Sequence, residues 1–213
     1  MRFPVAEKFK APQGEGMYVG VPMAFIRFVG CSVGKGICHN CDTDFDRTLP
    51  DLGGGLYNQE ELLTWVDNYK YVCLTGGEPL DRDLSSLTEL LTRNDIRVHV
   101  ESSGTKAIPE WLWSILHSHM GWFTVSPKPG YLDDVVTSAD EVKVILDGLG
   151  DGDGWPSVSD AKNWAKHGSR VYIQPNNDRI SINHHHMEEA LNVVMSNPEL
   201  RLSTQLHKYI RTR

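Results

Sequence analysis

The chain predicts an α/β fold on a mainly parallel sheet, and three observations predict it. Short runs rich in β-branched and aromatic residues alternate with longer stretches whose apolar residues recur at helical spacing. The two kinds follow one another in a repeating β–α order, which calls for right-handed crossovers and parallel strands. Residues with chemical character fall just after the strands, where ligand sites gather in such sheets. The pattern fits an open or closed barrel or a doubly wound layer. Its six or so β–α units fall short of a full eight-unit barrel.

The elements read in order. MAFIRFVG (23–30) is a strand bounded by Pro22 and Gly30, and the loop GCSVGKGICHNCDT follows it. NQEELLTWVDNY (58–69) is a helix, with Leu62, Leu63 and Val66 on one face and Asn58 as its N-cap. YVCLTGG (71–77) is a strand and LSSLTELLTRN (84–94) a helix. IRVHVES (96–102) is a strand, and IPEWLWSILHSH (108–119) a helix with Pro109 in its first turn. WFTVSPK (122–128) and DEVKVILD (140–147) are strands. VSDAKNWAKHG (158–168) is a helix, RVYIQP (170–175) a strand, HHHMEEALNVVMSN (184–197) a helix, and LRLSTQL (200–206) holds a last short strand. The Gly/Asp-rich stretch LDGLGDGDGWPS (146–157) reads as a loop, since it lacks the spacing and terminal Glu of a calcium-binding EF-hand.

The totals narrow the function classes. With 213 residues the chain is long enough for one domain, read as 1–213, with a proper core. Its 21 basic and 28 acidic residues give a formal charge of −7, which argues against non-specific nucleic-acid or membrane binding. No run of about 18 apolar residues is present. The N-terminus lacks the apolar stretch of a signal peptide, so the protein is read as cytoplasmic. In that compartment clustered cysteines are metal ligands or redox groups more often than disulfides.

Three of the four cysteines, Cys31, Cys38 and Cys41, fall within eleven positions. Thiolates are soft ligands that suit zinc or iron–sulfur clusters. Three of them can hold three irons of a [4Fe–4S] cube and leave the fourth open to a small molecule. A zinc knuckle completed by His39 or a distant His is the alternative. TGGEP (Thr75–Pro79) sits at the end of the next strand. There Gly76 and Gly77 let the backbone approach a ligand, and Glu78 offers a carboxylate to an ammonium group. Cysteines after one strand and GGEP after the next resemble, in that order, the radical S-adenosylmethionine (SAM) superfamily. Its usual cysteine spacing is C-x3-C-x2-C; here it is C-x6-C-x2-C. Asn40 stands where the superfamily places an aromatic residue beside adenine.

The resemblance narrows with QGEG (13–16), FIRFVGC (25–31), CDT (41–43), LTGGEPL (74–80), ESSGT (101–105), SPK (126–128), QP (174–175) and RLSTQLHK (201–208), in this order. Over nearly the whole chain it is similar to the 7-carboxy-7-deazaguanine synthase family. That resemblance implies a partial, open β/α barrel of the radical SAM type, with about six mainly parallel strands and flanking helices. It implies conversion of 6-carboxy-5,6,7,8-tetrahydropterin to 7-carboxy-7-deazaguanine, with a [4Fe–4S] cluster, SAM and Mg²⁺. It also implies a homodimer and an electron donor such as flavodoxin or ferredoxin, with no stable nucleic-acid or membrane partner. A glycyl-radical activase is an alternative that would not need QGEG or the terminal Q-x-HK, and a non-catalytic zinc module is another.

Site roles follow from the resemblance. Cys31, Cys38 and Cys41 would bind the cluster, and Thr43 would offer a hydroxyl to Mg²⁺. Gly76, Gly77, Glu78, Ser126, Pro127 and Lys128 would meet SAM, with Gln174 and Asn176 over its adenosine and Asn40 and Asp42 beside it. Pro12, Gln13, Gly14, Glu15 and Thr75 would face the pterin. Arg27 would meet the substrate carboxylate, since a guanidinium matches a carboxylate bidentately. Glu101, His207 and Arg213 would lie near the substrate. Three further features read as structural. Cys73 is a small buried hydrophobe, and His184-His185-His186 a solvated helix start. Trp111 and Trp113 belong to the core or a dimer interface.

Overall fold

A computed structural model describes residues 1–34, 36–38, 41, 44–146, 153–178 and 180–210. Nine strands form one sheet: β1 (Phe3–Pro12), β2 (Pro22–Phe28), β3 (Gly55–Tyr57), β4 (Tyr71–Gly76), β5 (Arg97–Ser102), β6 (Gly121–Val125), β7 (Glu141–Leu146), β8 (Arg170–Pro175) and β9 (Arg201–Leu202). Their spatial order is β3-β1-β2-β4-β5-β6-β7-β8-β9. From β2 to β9 every neighbouring pair is parallel, and β1 runs antiparallel to both β2 and β3. The helices are α1 (Gln59–Val66), α2 (Ser85–Arg93), α3 (Glu110–His117), α4 (Asp133–Thr137), α5 (Val158–Lys166), α6 (His184–Ser196) and α7 (Leu206–Ile210).

Most predicted elements are present within a residue or two of their expected ends. Asn58 caps α1 in a reciprocal box, accepting from Glu61 N at 2.8 Å while Glu61 Oε2 accepts from Asn58 N at 2.7 Å. Four elements differ. The parallel run has seven strands rather than about six. The expected last strand shortens to Arg201–Leu202, and Leu206 instead opens α7. α4 lies in a stretch with no predicted element. The fourth is the antiparallel edge, β1 with β3. β1 carries a bulge between Val5 and Glu7. Phe3 and Val5 join the main core, whereas Phe9 and Ala11 pack with Met23 and Phe25 on the other face. The bulge thus exchanges the faces served by odd positions, and strict alternation is lost.

The two sheet faces differ in chemistry. Ala24, Ile26 and Phe28 of β2 share one face with Val72, Leu74, Val98, Val100, Phe123, Val125, Val142, Val144, Val171 and Ile173. Leu62 and Val66 of α1, Leu87 and Leu91 of α2, Leu112 and Ile115 of α3 and Trp164 of α5 close over it. Full burial of each large apolar side chain is worth about 1.5–3 kcal/mol. Residues one position away in each strand point the other way. They comprise Arg27, Thr75, Glu101, Thr124, Glu141, Lys143 and Gln174, a polar row across an otherwise apolar sheet. Below that row Cys73 is buried beside Met23 and Phe25, as expected. His99 is buried there as well, among Tyr18, Tyr71 and Trp122. Trp111 is in the core, whereas Trp113 is exposed and stacks on His117.

Candidate active site

The site begins where β2 and β4 end. Parallel pairing continues past both strands, with Gly77 N donating to Phe28 O and Glu78 N to Gly30 O, each at 3.0 Å. A Cβ at Gly77 would lie 1.5 Å from Gly30 O, so only glycine lets the two backbones meet. The expectation for this glycine therefore sharpens. It brings the GGE turn against the segment that launches Cys31, as well as lining the cavity. The turn at Pro79–Asp81 adds Ser32 N to Asp81 Oδ2 at 2.8 Å and Arg82 Nη2 to Val29 O at 2.5 Å. The base of the cysteine loop is pinned on both sides.

Glu78 is 1 % exposed and lies behind the cavity wall. Its Oε1 accepts from Leu80 N at 3.0 Å and Ser102 Oγ at 2.9 Å. Its Oε2 accepts from Ser103 N at 2.9 Å and Ser103 Oγ at 2.5 Å. Two backbone N–H groups and two hydroxyls fill the roughly four acceptor positions of a carboxylate. Glu78 fastens the loop after β4 to the loop after β5 rather than offering oxygens to the cavity.

A cavity of about 660 Å³ opens at the C-terminal edge of the parallel strands. Cys31, Cys38 and Cys41 line it, with Cys41 N donating to Cys38 O at 3.1 Å. Burial raises the Cys38 thiol pKa; the Lys128 cation opposes that, and the neighbouring Cys41 and Cys31 add to it. Lys128 is turned back on its own loop, donating to Ser126 O at 2.8 Å and Ser126 Oγ at 2.7 Å. Its ammonium also lies 5.7 Å from the ring of Trp155. Among the described residues no three His, Cys, Asp or Glu side chains group tightly enough to hold a single metal ion.

Facing the thiols is a wall built from both ends of the chain. Gln13 is buried; its Nε2 donates to Glu101 Oε1 at 3.1 Å, and its Oε1 accepts from Glu15 N at 3.2 Å. Glu15 is held by three donors: Lys143 Nζ at 2.5 Å on Oε2, and Gln205 Nε2 at 2.8 Å and Gln174 Nε2 at 3.2 Å on Oε1. Burial alone would raise its pKa, but the Lys143 cation and these donors win and lower it to about 2. Gly16 N donates to Ser203 Oγ at 3.2 Å, Met17 N to Glu141 Oε2 at 2.7 Å and Leu206 N to Gly14 O at 2.8 Å. Arg27 lines the same space, its Nε 3.1 Å from Glu7 Oε1 and its guanidinium over Phe9.

Most of the expected residues therefore meet around one cavity. Pro12, Gln13, Gly14, Glu15, Arg27, Thr75, Glu101 and His207 line it with the three cysteines, Gly76, Gly77, Ser126, Lys128, Gln174 and Asn176. Glu78 and Pro127 do not line it. Gln174 is spent on Glu15 and on Ser203 Oγ at 2.9 Å, so it belongs to the QGEG wall. His39, Asn40, Asp42, Thr43 and Arg213 lie outside the described residues.

Several site residues escape the sequence reading. Lys143 is 4 % exposed and links Glu15 to Glu101, 3.5 Å from Glu101 Oε1. Its signal is the alternation Glu141–Lys143 against Val142–Val144, charged on one face of a strand and apolar on the other. Gln205 lies within the terminal Q-x-HK and bonds Glu15 and Asn177. Of the three histidines, His184 and His185 are exposed as expected. His186 lines the cavity, its Nδ1 2.6 Å from Asn176 O.

An open, mostly parallel sheet with helices on its apolar face and a polar cavity at its strand ends defines an α/β enzyme. Its distinguishing feature is a wall of three thiols. No family model matches the chain. Curated relatives do. It is 33 % identical to the 7-carboxy-7-deazaguanine synthase of a Synechocystis species, over 99 % of this chain and 94 % of the relative. It is 32 % identical to that of Bacteroides thetaiotaomicron, over 98 % of each. The crystal structure of QueE from Escherichia coli superposes with a TM-score of 0.72 at 27 % identity, over 97 % of this chain and 95 % of that one. The chain belongs to the 7-carboxy-7-deazaguanine synthase family.

Proposed function

We propose that this protein is a radical SAM enzyme that converts 6-carboxy-5,6,7,8-tetrahydropterin to 7-carboxy-7-deazaguanine with loss of ammonia. One observation carries the reading. The three-thiol loop, the GGE turn and the QGEG loop line a single cavity in a chain of this family. The donor set fits a cluster, because three cavity-lining thiols supply soft ligands and no fourth cysteine lies on that wall. Cys31, Cys38 and Cys41 would hold a [4Fe–4S] cluster, which together with SAM supplies a 5′-deoxyadenosyl radical.

The chain's own residues bind, orient and exclude. Gly76, Gly77, Ser126 and Lys128 stand on the thiol side and would receive SAM. Gln13, Thr75 and Glu101 face them and would receive the pterin edge. Arg27 would pair with the substrate carboxylate. Mg²⁺ completes the proposed set, with Thr43 as its expected oxygen ligand. A homodimer and a flavodoxin- or ferredoxin-type electron donor complete the proposed partners. No described helix is long and apolar enough to cross a membrane.

The test is anaerobic reconstitution with iron and sulfide, then incubation with SAM, a reductant and carboxytetrahydropterin. A brown protein that releases 7-carboxy-7-deazaguanine and ammonia is expected. Cleavage of SAM without that product would refute the substrate. A confirmed cluster that leaves SAM intact would refute the superfamily reading, and bound zinc without iron would favour the zinc module.

A further inference from the structure

Lys143 is a buried ammonium among three carboxylates. Its side chain is 5 % exposed, its Nζ lies 2.5 Å from Glu15 Oε2 and 3.5 Å from Glu101 Oε1, and Glu141 precedes it on the same face of β7. Such a charge is held inside a protein only when it is paired. The two pairs differ in what they leave over. Glu15 is saturated by Lys143, Gln174 and Gln205. Glu101 Oε2 accepts only the Thr75 hydroxyl, at a long 3.3 Å. Glu15 is thus a tether, and Glu101 is the carboxylate with acceptor capacity directed at the cavity.

We propose that Lys143 is a positioning residue for substrate: its ammonium, shared between Glu15 and Glu101, fixes the QGEG loop to the sheet and aims Gln13 and Glu101 at the N–H edge of the pterin. The inference rests on the pterin reading above. Gln13 binds Glu101 directly, so the loop, the lysine and the strand form one closed circuit. The other charged or titratable groups facing it are Glu141, Arg27, Cys73, His207 and Lys128. Without the lysine cation, burial dominates at Glu15 and its pKa rises. The defect in K143M therefore grows with pH, because the unpaired carboxylate is tolerated only when protonated.

Two readouts on the reconstituted enzyme test this: fluorescence titration with 6-carboxypterin, and steady-state kinetics from pH 6 to 8.5. In K143M we expect 6-carboxypterin to bind at least tenfold more weakly and KM for the pterin substrate to rise. The loss should be larger at pH 8.5 than at pH 6, with SAM cleavage in the absence of pterin within about twofold of wild type. E15Q/K143M should bind within threefold of E15Q, since both changes break one interaction. Wild-type pterin affinity in K143M, a loss independent of pH, or a double variant tenfold worse than E15Q would each overturn the proposal. If K143M does not fold, the comparison of E15Q with E15Q/K143M decides alone. A wild-type enzyme that cleaves SAM but makes no product sinks the pterin reading instead and leaves the Glu15–Lys143 coupling measurable.

Discussion

Glu78→Gln separates two accounts of the GGE turn. In the first, the side chain waits for the ammonium of a cofactor. In the second, which the geometry favours, it is already consumed by Leu80 N, Ser102 Oγ, Ser103 N and Ser103 Oγ. Glutamine has the same shape but replaces one oxygen with an NH₂ group. Either orientation sets that group against a backbone N–H, Leu80 on one side or Ser103 on the other. The serine hydroxyls can turn to accept, but the backbone N–H cannot. One buried donor left unsatisfied costs about 1–3 kcal/mol, and loss of charge weakens the remaining bonds by roughly 1 kcal/mol together. We expect about 3 kcal/mol of destabilisation in all, a large share of the roughly 5–15 kcal/mol typical of a domain. Urea unfolding of the unreconstituted protein reads it as a lower midpoint at unchanged slope. If E78Q unfolds within about 0.5 kcal/mol of wild type and only SAM binding suffers, the cradle reasoning is wrong.

Three further outcomes follow from the same geometry. Burial, with Arg97 adding to it, holds the His99 pKa down to about 4, so its stabilising contribution is complete above the ordinary value near 6.5 and lost as pH falls toward 4. His99→Phe, which keeps a ring among Tyr18, Tyr71 and Trp122, should flatten that part of the stability–pH curve. Identical losses in both proteins between pH 6.5 and 4.5 would contradict this. Cys73→Ala should retain wild-type iron and sulfide after reconstitution, whereas alanine at Cys31, Cys38 or Cys41 should not; iron loss from C73A would make Cys73 a ligand. Gly77→Ala should destabilise by about 2–4 kcal/mol and lower cluster content, because its Cβ strikes Gly30 O and both inter-loop bonds part. Normal iron content in G77A would show that the turn does not position the cysteines.

What was legible in the sequence was local. Runs such as YVCLTGG and RVYIQP carry their own strand signal, and Asn58 with Glu61 carries its own cap. β1 was illegible because Glu7, Lys8 and Lys10 interrupt its apolar residues and the bulge moves Phe9 to the face opposite Val5. The cavity wall was half legible. Motifs placed Gln13, Glu15 and Glu101 near one another, but motifs name residues and not their partners. Glu15 pairs with Lys143, 128 positions away, and with Gln205, 190 positions away, and no local pattern encodes such a distance. Glu78 shows the converse. Its motif predicted a ligand, yet its neighbours on β5 had already claimed both oxygens.

The two walls of the cavity are built by different means, and that difference bears on which reaction the site performs. The thiol wall comes from successive strand ends, β2, β4, β5 and β6, joined by backbone pairing between adjacent loops. Any chain with these strands and a glycine at position 77 could make it, so it specifies the cofactor chemistry and little about substrate. The facing wall needs the two ends of the chain to meet. A Cβ on Gly14 would lie 2.5 Å from His207 Nδ1, and one on Gly16 would overlap Glu141. These glycines exist so that residues 13–17 can lie flush between α7 and β7. Only that closure brings Gln13 within reach of Glu101 and Glu15 within reach of Lys143. Substrate choice therefore resides in the chain ends. A related protein that kept the cysteines and GGE but lost the QGEG–Lys143 circuit would be expected to keep SAM cleavage and change what the radical attacks.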